Sequence, residues 1–373
     1  YNMAQISSAE LKLYVWTGDS TQKPSTPRYT LNKVRPTHST GIVFEVAELI
    51  KDYVKVKFDG NYEAIQQSAW VQWDIKRTYD DASETNETSE LHMAFRGYGE
   101  LSDGVNPELS KDLMISNSII HNRCGDTLTV PFFVSPTKGV TRVEYFQDTT
   151  SLIVQSTGTF VDFTIAQGVR LNPPSPDITI DKTGTMVGNS NKVISTGNLP
   201  SDATKFTYQT SDGRDRTVVI KCIDECKNTP HKISFTNKNG VIQDMWFFAL
   251  KRDSMNAERE DYKASIIDIT GPANYLESDH QTRYLENQGK ERFTMNTGFI
   301  SEAYNQVLKE LLVSEFVYIH DRFRQSPSNP AFSLAVPTKV VTGSVRLLRS
   351  KEDKLINYAI DFEADSDFVQ SIR

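Results

Sequence analysis

The chain has 373 residues, with 41 Lys+Arg against 48 Asp+Glu, a formal net charge of −7 and 38% hydrophobic residues. That length suffices for roughly two or three hydrophobic cores, and the composition excludes wholesale disorder. The acidic balance speaks against a dedicated nucleic-acid binder, which needs excess Lys/Arg, and no apolar run approaches the ~20 residues that span a bilayer.

Period-two patterning dominates, so strands are expected almost throughout. Val46–Val54 is an exception: Ala47, Ile50 and Val54 share one side of a short helix. In the run Trp70–Tyr79, Val71, Trp73 and Ile75 alternate with Gln72, Asp74 and Lys76. The polar stretch Asp80–Glu90 is expected to link that strand to a partner at Leu91–Tyr98. Asn106-Pro107 reads as a helix N-cap followed by proline at the first helical position, opening a short helix to about Ser116. Alternation returns at Leu128, Val130, Phe132 and Val134, and again at Val161, Phe163 and Ile165. Leu171–Asp177, with Pro173, Pro174 and Pro176, is excluded from any strand interior.

Asp212-Gly213 suggests a hairpin between Lys205–Thr210 and Thr217–Cys222. Asn239-Gly240 is a stronger hairpin signal, between Lys232–Phe235 and Val241–Phe248. Residues 252–292 are polar and poorly periodic, and are expected to form a long exposed excursion. The best helix is Glu302–Leu312, capped by Ser301, with Ala303, Val307, Leu308, Leu311 and Leu312 as its apolar stripe. Val313–His320 then reads as a strand, and Ile356, Tyr358, Ile360 and Phe362 alternate in a closing one. The expected fold is mainly β: antiparallel sandwich or barrel-like modules with a few short helices. The expected domains are 1–122, 123–216 and 217–373, the last holding the helix 302–312 and the excursion 252–292.

Reactive constellations are sparse. Cys222, Cys226 and His231 have a spacing that could supply three zinc ligands, but no second pair lies nearby, so no metal or cofactor is expected. Three cysteines (Cys124, Cys222, Cys226) suggest thiols packed in a reducing environment. His121 and Cys124 are close in sequence, a polar turn more readily than a nucleophilic pair. Asp80, Asp81, Glu84, Glu87 and Glu90 crowd one loop without calcium-loop spacing, and Asn86-Glu87-Thr88 is an isolated sequon. Gly97-Tyr98-Gly99 is only a fragment of a phosphate-binding pattern, and Arg346, Arg349, Lys351 and Lys354 are interrupted by acids. No catalytic role is assigned to any residue.

Trp246, Phe247 and Phe248 are consecutive, so a strand must point them to both faces. One face can be core; the other needs a cover from another domain, a neighbouring subunit or a sugar. Subunit contacts are therefore expected at Trp246, Phe248, Leu308, Leu312, Tyr358 and Phe362.

Several segments carry a resemblance. They are Phe235-Thr-Asn237-Lys-Asn239-Gly240 with Gln243–Phe248, and Gly289-Lys290 with Phe293–Phe299 before the Ser301 helix. Ala335-Val336-Pro337, Lys354–Glu363, Phe44–Tyr53 and the segment from Gly97-Tyr98-Gly99 through Pro107 complete the set. In this order they resemble structural proteins of tailed bacteriophages, particularly tail, baseplate or neck components. The resemblance implies a virion protein, assembled in the host cytoplasm as a symmetric ring with other virion structural proteins, and without catalysis. The alternative is a β-sandwich module that binds a host-surface glycan or receptor through exposed aromatics.

Overall fold

The computed structural model describes residues 5–17, 21–56, 58, 68–103, 115–124, 130–132, 140–146, 152–157, 169–171, 205–210, 215–224, 227–267, 271–272, 274–320, 335–349 and 356–366. The expected helix after Asn106, the alternating run Val161–Ile165 and the segment 172–177 lie outside those residues.

The N-terminal sheet contains β1 (Ile6–Trp16), β2 (Tyr29–Val34), β3 (Ser68–Tyr79), β4 (Glu84–Thr88) and β5 (His92–Phe95), with the short α1 (Ala47–Lys51) between β2 and β3. Its order is β2-β1-β3-β4, and β5 shares the far edge of β3 with β4. Alternation works as expected. Leu11, Leu13, Val15 and Val71 meet Val54 and the flank of α1 on one face, while Tyr14, Trp16 and Trp70 gather on the other. Trp73 stacks flat on His92, with centroids 4.5 Å apart.

The carboxylate-rich stretch after Tyr79 is itself a strand. It is exposed along its whole length, and cross-strand ion pairs hold it: Lys76–Glu84 at 2.9 Å and Arg77–Glu87 at 2.5 Å. Ala82 takes a φ of +62° at the turn, an unusual conformation for a residue with a Cβ.

Seven strands follow: β6 (Ile119–Arg123), β7 (Val130–Phe132), β8 (Val140–Phe146), β9 (Leu152–Thr157), β10 (Val169–Leu171), β11 (Lys205–Thr210) and β12 (Asp215–Ile223). One sheet runs β6-β12-β11-β8-β9, and β7 pairs with β10 in a separate ribbon. The β11–β12 hairpin flanks Asp212-Gly213 as its turn chemistry requires. β6 joins β12 in parallel, the one parallel pair among the described strands. Continuing that pairing, Cys124 N donates to Ile223 O at 3.1 Å, which brings Cys124 to the end of β12. Cys124 is disulfide-bonded. The expectation of three packed free thiols is thereby corrected; the possible partners are Cys222 and Cys226, whose side chains lie outside the described residues.

The C-terminal part holds β13 (His231–Thr236), β14 (Ile242–Phe247), β15 (Lys251–Lys263), β16 (Thr282–Asn296), β17 (Val317–His320), β18 (Ala335–Val340) and β19 (Ala359–Ala364). They form one antiparallel sheet in the order β14-β13-β17-β18-β19-β16-β15. The helix begins as a 3-10 turn at Glu302–Tyr304 and continues as α2 (Asn305–Val313). Ser301 makes no capping bond, and its buried hydroxyl has no partner. Val313, expected to open a strand, closes this helix instead.

One face of the sheet (Ile233, Phe235, Met245, Phe247, Ile319, Ile360 and Phe362) packs against Tyr304, Val307, Leu308 and Leu311. Each fully buried side chain of this size contributes roughly 1.5–3 kcal/mol. On the opposite face Tyr318 and Ile242 meet Val56 and Phe58, a strap leading out of the N-terminal sheet.

The polar excursion is regular. β15 and β16 pair from Lys251↔Met295 to Lys263↔Thr282, one extra residue at Leu285 being accommodated in β16. β19 supports β16 only from Arg292 to Asn296. Beyond that point the ribbon is two-stranded, and most of its residues are exposed.

Candidate functional site

The residues expected at subunit contacts lie inside the chain. Trp246, Phe248, Leu308, Tyr358 and Phe362 are buried, and Leu312 packs against the same core. Phe247 meets Phe362 edge-on with centroids 5.7 Å apart. Trp246, on the other face, donates its Nε1–H to Asn122 Oδ1 at 2.9 Å. The second cover demanded by three consecutive aromatics is supplied at Trp246 by β6, and the six residues offer no free interface.

Three internal polar junctions join the parts. At the first, Glu310 is buried at 2% exposure. Its Oε2 accepts the Ser116 hydroxyl at 2.5 Å and Lys238 N–H at 3.0 Å, and its Oε1 accepts Gln306 Nε2–H at 3.1 Å. Gln243 Oε1 accepts from Ser116 N–H at 3.2 Å and from Asn237 Nδ2–H at 2.9 Å. Nearby, Lys238 Nζ lies 2.8 Å from Asp103 and 3.5 Å from Glu100. That ammonium holds both carboxyls below their ordinary range, helped at Asp103 by the Glu100 N–H and led at Glu100 by a bond from Gln306. Burial, then Glu310 and Glu100, push the Tyr98 phenol up to about 12.

The second junction crosses backbones. Tyr98 N–H donates to Lys238 O at 2.9 Å. A Cβ on Gly240, whose φ is +76°, would lie 2.5 Å from Gly97 N; one on Gly97 would lie 2.5 Å from Lys238 O. Gly97 and the hairpin glycine Gly240 are therefore packing glycines, each required by the other chain segment. Arg96, next to Gly97, forms a two-pronged bond with Glu315 at 2.7 and 3.1 Å.

The third centres on His121. Its ring stacks on Tyr304 at 4.4 Å, its backbone N–H donates to Tyr304 Oη, and both ring nitrogens are buried without partners. Burial first, then the Lys221 charge, lowers its pKa to about 4. It is a neutral core imidazole, and the paired Cys124 is no nucleophile for it.

The β register also gathers Ser234, Asp244 and His320, a grouping hidden in the sequence because three strands supply it. Ser234 Oγ lies 2.7 Å from His320 Nε2 and 2.5 Å from Asp244 Oδ1. Asp244 bonds the serine, and Ser234 is fully buried. A hydroxyl sealed in this way is closed to a substrate arriving from solvent. His231 stands opposite Phe247 at the start of β13. The Cys226 part of the proposed ligand set lies outside the described residues, among which no cluster of metal-ligating side chains occurs. Of the basic group, Lys351 and Lys354 also lie outside them.

The ribbon is exposed. Met255, Tyr262, Tyr275, Leu276, Tyr284 and Leu285 are between 46% and 72% exposed. Arg259 covers the Tyr284 ring at 5.4 Å. Two clefts flank the base of the ribbon. One, of about 470 Å³, is lined by Met255, Arg292, Phe293, Ile319 and Val336. The other, of about 640 Å³, is lined by Phe248, Leu250, Arg252, Phe299 and Asn357. Leu250 and Phe299 add exposed apolar surface there.

No family model matches the chain, and no curated protein matches it significantly. Among the described residues no helix is long and apolar enough to cross a membrane.

Proposed function

We propose that this chain is a structural subunit of a tailed-bacteriophage virion. It would assemble with copies of itself and with other virion proteins in a ring of the tail, baseplate or neck. The observation that carries this reading is the β15–β16 ribbon. A two-stranded hairpin is marginal in water, and this one extends well beyond its supporting strand with aromatic and aliphatic side chains in solvent. Such an arm gains its full stability when it lies on a neighbour. The resemblance of the segments around Asn239-Gly240, Phe293–Phe299 and Lys354–Glu363 to tail components supports the same reading. In this reading the assembly surface is the ribbon with its basal clefts, the buried aromatics Trp246, Phe248 and Phe362 lying in the core.

The glycan-binding alternative loses its strongest platforms: Trp16, Trp70 and Trp246 are buried, and Trp73 is stacked on His92. Light scattering on the purified chain, with negative-stain images, tests the proposal. A discrete symmetric oligomer is expected. A monomer persisting at high concentration would refute it.

A further inference from the structure

β15 is the terminal strand of the seven-stranded sheet, and among the described residues it pairs only with β16. Among the described residues its outer edge is therefore unpaired over 13 residues. The extra residue of the ribbon sits on β16, so β15 itself is uninterrupted. An edge of this length is a template for another strand unless something blocks it.

The charges along β15 select one partner. Folding the strand back antiparallel about Asn256 sets Lys251 opposite Asp261, Arg252 opposite Glu260, and Asp253 opposite Arg259. Met255 meets Ala257 beside the centre. In two copies related by a two-fold axis each pairing occurs twice, so every charge facing a charge faces its opposite. Neighbouring registers lose this. Centring on Ala257 sets Lys251 against Lys263 and Asp253 against Asp261, and centring on Met255 sets Lys251 against Arg259. Opposite charges directly across a ladder stabilise it, and like charges there destabilise it.

We infer that two copies of this chain join through β15, antiparallel and centred on Asn256, to form one continuous fourteen-stranded sheet. The contact is isologous, the same strand serving both sides. This inference rests on the assembly reading, and it names both the partner and the register. On one face it forms a charged ladder, Lys251–Asp261 and Asp253–Arg259, around a small Met255–Ala257 centre. On the other it pairs Arg252 with Glu260.

The two-fold places the two Asn256 Cα atoms about 4.5–5.5 Å apart, within disulfide reach. Mild oxidation of Asn256→Cys should give a covalent dimer. Glu258→Cys, about four residues out of register with its own copy, should give no more dimer than the unsubstituted chain. Sedimentation at low salt should show Arg252→Glu weakening the dimer about tenfold or more, and the double change Arg252→Glu/Glu260→Arg restoring it. High salt should weaken the unsubstituted dimer. An oligomer that forms without cross-linking at 256, or that ignores the charge swap, overturns this inference and leaves the assembly reading standing. A chain monomeric in every experiment overturns both.

Discussion

At the scale of single residues, buried polar groups distinguish this molecule from a plain β sandwich. His121 is legible in the sequence only as a histidine near a cysteine. Its burial comes from the meeting of β6 with Tyr304, residues 183 positions apart. The unfolded imidazole titrates near 6.5, whereas burial and Lys221 hold the folded one at about 4. As pH falls from 6.5 toward 4, the unfolded chain binds a proton that the folded chain refuses, so stability declines through that window. Thermal melts of the native chain and His121→Phe should therefore diverge below pH 6.5, the native chain losing more. Curves that stay parallel from pH 7 to 4.5 would contradict this. Glu310 makes a second test. Removing its carboxylate strands the Lys238 N–H and leaves the Ser116 hydroxyl only Gln243 Oε1. Glu310→Ala should cost about 3 kcal/mol or more in urea unfolding, and Glu310→Gln clearly less, since an amide oxygen can still accept.

At the scale of elements, legibility followed hydrophobic period. The strands with one buried face, β3 and β19 above all, stand where alternation put them, and the Asn239-Gly240 hairpin stands where its turn chemistry put it. β4 and the β15–β16 ribbon did not announce themselves, because an element exposed on both faces has no apolar alternation to read. In β4, cross-strand charges carry the information instead: Lys76–Glu84 and Arg77–Glu87. The Gly97–Gly240 crossing was visible only as two glycines in separate motifs. Gly240→Ala meets both a backbone clash and a positive φ, and should cost several kcal/mol in urea unfolding, far beyond the roughly 1 kcal/mol of an ordinary glycine replacement. The ribbon should behave oppositely. Replacing residues 256–290 by a short turn removes almost nothing from the main core, so the melting temperature should fall by no more than a few degrees while self-association is lost. A truncated chain that fails to fold would show that the ribbon belongs to the core.

At the scale of the whole molecule, the sheets are joined by contacts between residues far apart in sequence: Arg96 with Glu315, Ser116 with Glu310, Asn122 with Trp246. None leaves a local pattern, which explains why the core aromatics read as candidates for contact with other chains. A strand with apolar residues on both faces reports that both are covered, not by what. The same geometry gives the disulfide at Cys124 its leverage. β6 is held beside β12 by parallel pairing, and Cys124 continues that register. Whichever of Cys222 and Cys226 it bonds, the bridge closes a loop of about 100 residues, and native bridges of this kind contribute about 2–4 kcal/mol. β6 also carries Asn122 and His121 into the C-terminal part, so loosening it weakens the middle sheet and the cover over Trp246 together. Reduction should lower the melting temperature by several degrees and raise the indole fluorescence response to a soluble quencher. Cys124→Ser should reproduce both changes without reductant. A reduced chain with an unaltered melt and an equally shielded Trp246 would mean that the β6–β12 pairing holds this junction without the bridge.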